Sequence, residues 1–165
     1  TFYLVDQHAA HERIYFEKIM DSYRSGDAPK QEIMVPITFD VPFFSDEWKK
    51  ALERFGFSIR EFGPQTYAAH GIPIFMDLSG GEKLILDFMD GIGEDTDFES
   101  EDVVTAIAQR ACKQAVKAGD ELSSQEAEQL IRDLSQCRNP LSCPHGRPTF
   151  IRMTRQEMER KFKRT

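Results

Sequence analysis

The sequence predicts an α+β fold made of two lobes, and three observations support this prediction. Apolar residues recur with helical spacing in some segments and alternate in others, so helices and strands follow one another along the 165 residues. An apolar fraction of 40%, with 13 Phe, is large enough to form a buried core. The middle of the chain, about residues 31–100, has more aromatic strands than the ends and contains no Cys. We therefore expect residues 1–30 and 101–165 to form one lobe, with residues 31–100 inserted as a second.

The composition excludes several classes of protein. Lys and Arg number 21 and Asp and Glu 28, so the net charge is −7 and bulk charge alone does not hold DNA or an anionic membrane tightly. Three Cys cannot all pair within one chain, which predicts a reducing compartment. No apolar run approaches the ~20 residues that cross a bilayer, and we expect no signal peptide. Because the chain opens at Thr1 directly in strand-like sequence, we expect it to be a fragment of a longer protein.

The first quarter of the chain is predicted to form a strand, a helix and an edge strand. Residues 1–5 are aromatic and apolar, as in a strand. Between 8 and 24 the spacing becomes helical, and one face of this helix is apolar: Ala9, Phe16, Met20 and Tyr23. Residues 32–41 alternate again, but Pro36 cannot donate to a sheet ladder, so we expect an edge strand.

The inserted lobe continues with a helix, two strands and another helix. Ser45 is a typical N-cap with two acidic residues after it, and Gly56 ends that helix. Strands over 57–62 and 66–76 follow, separated by a Gly-Pro turn. A short helix is then predicted over 82–90.

The last part of the chain is mostly helical. The run 94–102 holds six acidic residues and no basic one, which is typical of a solvated loop. A helix follows over 103–118, and its apolar face is Val104, Ile107, Ala111 and Ala118. Ser123 and Thr154 each have Glu three residues later, and these capping boxes predict helices on either side of a strand over 149–153.

The first candidate site lies where the opening strand becomes a helix. His8 and Glu12 are four residues apart and therefore project from the same helix face. Asp6 precedes the first turn, where it either caps the helix or faces the same space. Imidazole nitrogen and carboxylate oxygen both suit Zn²⁺ or Mn²⁺. The alternative is structural: a capped helix with an exposed histidine, in which Glu12 pairs with Arg13 or Lys18.

The second candidate site is the loop sequence CPHGRP at 143–148. Its prolines favour extended backbone, in which Cys143 and His145 face the same side and can bind one metal ion. Gly146 is expected to let another segment of backbone come close, and Arg147 to hold a phosphate with its planar guanidinium. The alternative is a buried cysteine beside a turn.

The other cysteines and histidines have simpler interpretations when the residues are considered alone. Cys112 lies on a helix crowded with alanine, where a single cysteine is most often a small core residue. Cys137 has no partner pattern around it and is predicted to be structural. His11 and His70 are expected to be structural or solvated.

Taken together, these segments resemble one known family. DQHAAHERIYFE at 6–17 resembles the DQHAxxExxxxE motif of the MutL family of DNA mismatch-repair proteins, in the C-terminal endonuclease domain. CPHGRP at 143–148 matches a second motif of that domain, ACK at 111–113 is close to its ACR, and FKR at 162–164 resembles its closing FxR. Lys113 stands where the family usually has Arg. The similarity extends from the first strand to the last helix.

The resemblance implies a dimerisation lobe that carries a metal site and an inserted regulatory lobe. It further implies that three distant segments converge to bind one or two metal ions through these side chains: His8, Glu12, Cys112, Cys143 and His145. Asp6 would be required for strand cleavage, as a further ligand or as a base that orients water, and would complete a catalytic set with His8 and Glu12. The implied activity is that of a metal-dependent endodeoxyribonuclease, which hydrolyses a phosphodiester in duplex DNA and leaves a nick.

The resemblance and the donor set together predict the cofactors. Thiolate and imidazole ligands favour softer ions than Mg²⁺, so Mn²⁺ is the expected activator and Zn²⁺ a structural or regulatory ion. The full family protein is implied to carry a separate N-terminal ATPase domain. No nucleotide is therefore expected to bind the present segment.

A short motif implies a protein partner. QEIMVP at 31–36 resembles the segment with which MutL-type nucleases bind the replication sliding clamp. Gln31 would bond at the rim of an apolar pocket, Pro36 would end the motif, and one of three apolar side chains would fill the pocket: Ile33, Met34 or Val35. Without the resemblance this segment is simply an edge strand, and both interpretations can hold together.

Further partners follow from the resemblance and from charge. The family implies a homodimer and, through the full-length protein, a MutS-type mismatch-recognition protein. Residues 147–165 hold seven basic and two acidic side chains, so weak, salt-sensitive contact with duplex DNA is expected, with DNA delivered by the clamp or by domains outside this segment. We expect a bacterial cytoplasmic, nucleoid-associated protein that does not contact membranes.

Two other function classes compete with the nuclease. One is a zinc-stabilised dimerisation and clamp-recruiting domain without cleavage activity. The other is an adaptor that recruits the clamp, binds no metal and merely buries its cysteines. Asp6 and Glu12 distinguish the nuclease from the zinc-stabilised domain, because a purely structural Cys/His site has no need of extra carboxylates. The adaptor differs in that it predicts no bound metal.

Overall fold

The computed structural model describes residues 1–91, 95–116, 119 and 121–163. Helices and strands are mixed along the described chain, which confirms the predicted α+β class. The elements are β1 (Phe2–Val5), α1 (Gln7–Ser25), β2 (Lys30–Asp40), α2 (Asp46–Arg54), β3 (Ser58–Glu61), β4 (Thr66–Pro73), α3 (Leu78–Gly91), α4 (Glu101–Ala115), α5 (Ser124–Ser135), β5 (Phe150–Met153) and α6 (Arg155–Lys161).

The chain divides into two compact units. The first consists of residues 1–15 and 116–165, and the second of residues 16–115. The predicted boundaries differ from these, because the second half of α1 and all of α4 belong to the second unit. The roles that the sequence assigned to the two lobes stay predictions.

The first unit combines a two-stranded sheet with helices packed on a small apolar core. β1 and β5 pair antiparallel, with Leu4 directly opposite Ile151. The helices α1 and α5 meet in a cluster of buried and partly buried side chains: Ala10, Ile14, Leu122, Leu130, Leu134 and Cys137. Both predicted capping boxes are present, at Ser123 before α5 and at Thr154 before α6.

The second unit is built on an antiparallel sheet in the order β2-β4-β3, so β2 is an edge strand as predicted. Ser45 caps α2 by accepting the backbone N–H of Trp48 at 3.2 Å, which also agrees with the prediction. Aromatic rings fill the core, where Trp48 meets Phe88 edge-on and Phe88 stacks on Phe98. α3 begins at Leu78, earlier than the predicted start at Glu82.

Three predicted positions cannot be compared with the structure. Glu94 in the acidic run, Ala118 on the apolar helix face and Arg164 in the closing motif lie outside the described residues. Among the residues that are described, no helix is both long and apolar enough to cross a membrane.

Candidate metal centre

The start of α1 is fixed by Asp6. Its Oδ1 accepts the backbone N–H of Ala9 at 3.0 Å, and its carbonyl accepts that of Ala10 at 2.9 Å, so Asp6 is the N-cap. Its own N–H donates to the carbonyl of Thr149 at 2.8 Å. Asp6 therefore joins the helix start to the segment that follows the CPHGRP loop, while its predicted role in cleavage stays a prediction.

Glu12 is the buried centre of the site. The residue is 1% exposed, although a carboxylate in a protein interior needs partners to offset its lost hydration. Oε1 lies 3.1 Å from His8 Nε2. Oε2 lies 3.2 Å from His145 Nδ1 and 2.9 Å from Arg147 Nη2. Both carboxylate oxygens are therefore held by side chains from opposite ends of the chain.

The CPHGRP loop is a tight turn rather than the extended segment that the prolines predicted. The Cys143 N–H donates to the Arg147 carbonyl at 2.7 Å, and the Gly146 N–H to the Cys143 carbonyl at 3.0 Å. Gly146 has φ 86°, which favours glycine, whereas a Cβ added there would meet nothing within 4 Å. The expected close approach of backbone at Gly146 is therefore wrong, and its positive φ is the reason for glycine.

Two residues that the sequence analysis did not assign to the site hold this loop in place. Arg13 is 8% exposed, and its Nε donates to the carbonyl of Ser142 at 2.6 Å. Thr149 is completely buried; its N–H donates to the Leu141 carbonyl at 3.1 Å and its hydroxyl to the Pro140 carbonyl. The sequence analysis considered Arg13 only as an ion-pair partner of Glu12, and nothing in the sequence indicated that its side chain would bind the Ser142 carbonyl.

Three side chains converge closely enough to bind one ion. One ligand atom each from Glu12, Cys143 and His145 lies within 4.8 Å of the others. Cys143 is 2% exposed, whereas the His145 side chain is 32% exposed, so the cluster is accessible to solvent at His145. The convergence of these three residues, predicted for the metal site, is therefore present in the first unit.

His8 lies beside this group of three. Its Nε2 faces Glu12 at 3.1 Å, while its Nδ1, on the other side of the ring, is buried and has no hydrogen-bond partner among the described residues. Thiolate, imidazole and carboxylate are also the ligands that Zn²⁺ takes in proteins. The residues present therefore fit a divalent metal ion, and His8 stays a predicted ligand beside the group of three.

The electrostatics of the site favour an ionised Glu12. Burial alone opposes the charge, but hydrogen bonds from His145, Arg147 and Cys143 outweigh it and hold the pKa of Glu12 below its ordinary value. Hydrogen bonds to Cys143 and Glu12 in turn raise the pKa of Arg147. Glu12 is therefore a carboxylate at neutral pH, which is the form that binds a metal ion.

Cys112 lies in the second unit on α4, where it is completely buried. Its sulfur contacts the carbonyl of Gln109 at 3.1 Å, one helical turn earlier. This is the packing expected of a small core residue. Its assignment as a further metal ligand stays a prediction.

The predicted clamp motif lies on the edge strand β2 of the second unit. The pairing with β4 moves directly from Glu32 opposite Gly71 to Ile37 opposite Ala69, so residues 33–36 bulge from the ladder. Met34 is fully exposed and Val35 is 72% exposed. The Gln31 side chain donates to the Met76 carbonyl at 2.7 Å, within the chain itself.

Comparison with known proteins identifies the family. The family model described as MutL C terminal dimerisation domain matches residues 1–122. The chain belongs to this MutL family.

Its MutL relatives match over almost the whole chain. The DNA mismatch repair protein MutL of Clostridium perfringens is 38% identical over 99% of this chain and 25% of the relative. MutL of Clostridium tetani is 39% identical over 99% of this chain and 27% of the relative, and MutL of Symbiobacterium thermophilum 36% identical over 98% and 27%. The chain thus spans about a quarter of the length of these MutL proteins, and its membership of a dimerisation-domain family supports a homodimer.

Proposed function

We propose that this chain is the metal-dependent DNA-nicking endonuclease domain of a MutL-type mismatch-repair protein. One observation carries the proposal: a buried carboxylate, a buried thiol and an imidazole from distant parts of the chain lie within 4.8 Å of one another. A structural zinc site commonly uses Cys and His alone, whereas here the carboxylate is central. A second carboxylate, Asp6, begins the same helix.

The proposed chemistry is hydrolysis of a phosphodiester. A divalent ion held by Glu12, Cys143 and His145 would polarise the phosphate and activate water for attack. Asp6 would orient the attacking water and accept its proton. Arg147, whose side chain is 52% exposed, would hold a phosphate oxygen with its planar guanidinium. Because thiolate and imidazole ligands favour ions softer than Mg²⁺, we propose Mn²⁺ rather than Mg²⁺ as activator and Zn²⁺ as a structural or regulatory ion.

The first experiment measures metal and cleavage on the same samples. The wild-type chain is dialysed against Zn²⁺ or Mn²⁺, and bound metal is counted by mass spectrometry; a Cys143→Ser/His145→Ala variant is treated identically. We expect about one or two ions per wild-type chain and none in the variant. Conversion of supercoiled plasmid to the nicked form with Mn²⁺ is then compared between the two, and only the wild type should nick.

The matched control is Cys137→Ser/His70→Ala, which changes the same residue types away from the cluster. This control should retain metal and nicking. No metal on the wild-type chain would contradict the metal site. Metal without nicking, even with clamp and mismatch-recognition protein added, would leave a zinc-stabilised dimerisation domain as the function.

Delivery of DNA is assigned to protein partners, because the net charge of −7 opposes binding of DNA. We propose that the sliding clamp is one such partner, through the exposed bulge at 33–36, and that a MutS-type protein acts through the full-length chain.

Weak DNA contact is assigned to the basic segment from residue 147 onward. A DNA-processing role of this kind belongs in the bacterial cytoplasm, at the nucleoid.

Truncating the clamp motif should separate recruitment from metal binding. In Met34→Ala/Val35→Ala, two exposed side chains that would enter the clamp pocket are removed, and we expect clamp affinity to fall at least about tenfold. Bound metal should be unchanged, because the metal cluster lies in the other unit. Surface plasmon resonance measures the clamp affinity, and mass spectrometry measures the bound metal. Phe62→Ala, also an exposed apolar truncation in this unit, is the control.

Dimerisation is supported by the exposed sheet of the first unit. In the described part of that unit, β1 and β5 form a sheet of only two strands, which is marginally stable by itself. Its apolar residues are nevertheless exposed: Tyr3, Leu4, Val5 and Ile151. We propose that a second copy of the chain covers this sheet, as the dimerisation-domain family suggests.

Charges on this sheet should produce monomers. Leu4 and Ile151 face each other across the two strands, so Leu4→Glu and Ile151→Glu each place a carboxylate in the proposed interface. We expect the dimer dissociation constant, measured by analytical ultracentrifugation, to rise about 30-fold, equivalent to about 2 kcal/mol. Ile131→Glu changes an exposed residue of α5 in the same way and should not alter the dimer dissociation constant. Equal weakening by all three variants would argue against this sheet as the interface.

A further inference from the structure

Arg147 occupies the position of a counter-ion for the buried carboxylate of the metal site. Its Nη2 donates to Glu12 Oε2 at 2.9 Å. Glu12 is one of the three residues whose ligand atoms converge. The guanidinium therefore neutralises the same carboxylate that a metal ion would neutralise.

The same side chain is open to solvent. Arg147 is 52% exposed, whereas Glu12 is 1% exposed, so the guanidinium lies between the buried carboxylate and the outside. A guanidinium forms comparable paired hydrogen bonds with carboxylate and with phosphate. While one N–H of Nη2 stays on Glu12, the buried carboxylate fixes the position of the guanidinium, so a paired bond to a DNA phosphate is restricted to its remaining N–H donors.

We propose that a divalent ion displaces Arg147 from Glu12, and that the released guanidinium then binds a DNA phosphate. Two positive charges on one carboxylate repel each other, so the metal and Arg147 compete for Glu12. Without metal, a phosphate that takes Arg147 leaves a buried carboxylate without one of its partners, which is costly. When a metal ion is bound, the ion replaces Arg147 as the partner of Glu12, so phosphate binding by Arg147 no longer leaves the carboxylate without a partner. Metal and DNA therefore strengthen each other's binding by the same factor.

This inference rests on the proposed metal-dependent function and adds to it the order of events. Loading of the metal site precedes tight contact with DNA. Without a bound metal ion, the Arg147 guanidinium stays hydrogen-bonded to Glu12 and is not free to bind phosphate.

The first test measures Zn²⁺ affinity by competition with a chromophoric chelator, on the 165-residue chain. Arg147→Gln removes the competing cation, and we expect Zn²⁺ to bind about tenfold more tightly than in wild type. Arg132→Gln removes an exposed Arg from α5 in the same unit and should leave the affinity unchanged. Circular dichroism and thermal melting check that the variants fold. Weaker Zn²⁺ binding by Arg147→Gln would overturn the proposal, because Arg147 would then only orient Glu12.

The second test measures binding of a short fluorescent DNA duplex at fixed salt, with and without Zn²⁺. Zn²⁺ should increase DNA affinity of the wild type on the order of tenfold. A smaller increase is expected in Arg147→Gln, where only the charge of the ion contributes. Equal increases in the two proteins would overturn the proposal.

A third test needs no metal. Glu12→Gln should release Arg147 permanently, so this variant should bind the duplex more tightly than metal-free wild type. Glu12→Gln should give no such gain in the Arg147→Gln background, that is, when Glu12→Gln/Arg147→Gln is compared with Arg147→Gln, and this double-mutant cycle excludes a general effect of removing one negative charge. An equal gain in that background would contradict the proposal. Absence of Zn²⁺ binding by the wild type is a different result, since it would refute the proposed metal site itself.

Discussion

Replacing Glu12 by glutamine should abolish metal binding and DNA nicking while the chain still folds. The amide keeps the shape of the side chain but lacks the charge that a divalent ion requires. Loss of outer partners of a metal ligand typically costs about 10–100-fold in affinity, and loss of a ligand should cost at least about 100-fold. Mass spectrometry of bound metal and plasmid nicking with Mn²⁺ measure the two effects.

Glu128→Gln is the matched control for this prediction. Glu128 is an exposed residue of α5 in the same unit, and it does not belong to the described group of three. Its replacement should leave both metal and nicking intact. Retained nicking by Glu12→Gln would refute the proposed role of the buried carboxylate.

The pH dependence of stability gives an independent check on Glu12 in the metal-free chain. Because the pKa of Glu12 is lowered from 4.5, its ionised contacts contribute stability that is full above that pH. The contribution is lost as the pH falls through the lowered pKa. We therefore expect the difference in thermal midpoint between wild type and Glu12→Gln to shrink in acid. A difference that is constant with pH would contradict the ionic contribution.

Asp6→Asn should retain the fold and the metal but lose cleavage. Asparagine caps a helix about as well as aspartate, so the bond to the Ala9 N–H can persist. It cannot accept a proton from water, and removal of a general base typically costs about 10²–10⁴-fold in rate. The nicking rate with saturating Mn²⁺ tests this, with metal content and thermal midpoint measured in parallel.

Asp6→Ala completes the comparison for this residue. It removes both the carboxylate and the cap, so we expect the same loss of nicking and, in addition, a loss of about 1 kcal/mol in the free energy of unfolding. Nicking by Asp6→Asn at the wild-type rate would leave Asp6 with its capping role alone.

Local sequence was sufficient for most helix starts. The side chains of Ser45, Ser123 and Thr154 each accept a backbone N–H from three residues later, as predicted. These contacts form within a single turn and need no other part of the chain.

The start of α3 was missed although it is also capped locally, because Gly80 and Gly81 have low helix propensity. Asp77 Oδ1 accepts the Gly80 N–H at 2.8 Å. A Cβ at Gly81 would lie 2.9 Å from the Ile72 side chain, and one at Gly80 would lie 3.2 Å from the Gln114 carbonyl. The cap is therefore local, whereas the need for glycine at these two positions comes from close packing on β4 and α4.

The candidate site shows the same division between local and distant information. Spacing on one helix placed His8 and Glu12 together, and their side chains do meet at 3.1 Å. The motifs alone also indicated Cys143 and His145, but not their geometry relative to Glu12. That geometry depends on Arg13 and Thr149, whose hydrogen bonds hold the loop from distant or buried positions.

The sequence by itself determined the α+β class, the helix caps, the MutL resemblance and the residue types of the candidate metal site. Only the tertiary structure decided that Glu12 is buried and that Arg147 pairs with it across 135 residues of sequence. The physical reason is the sequence separation over which each interaction acts. Helix periodicity and caps arise from neighbours within a turn, whereas burial and the pairing of charges depend on which distant segments exclude water from the same place.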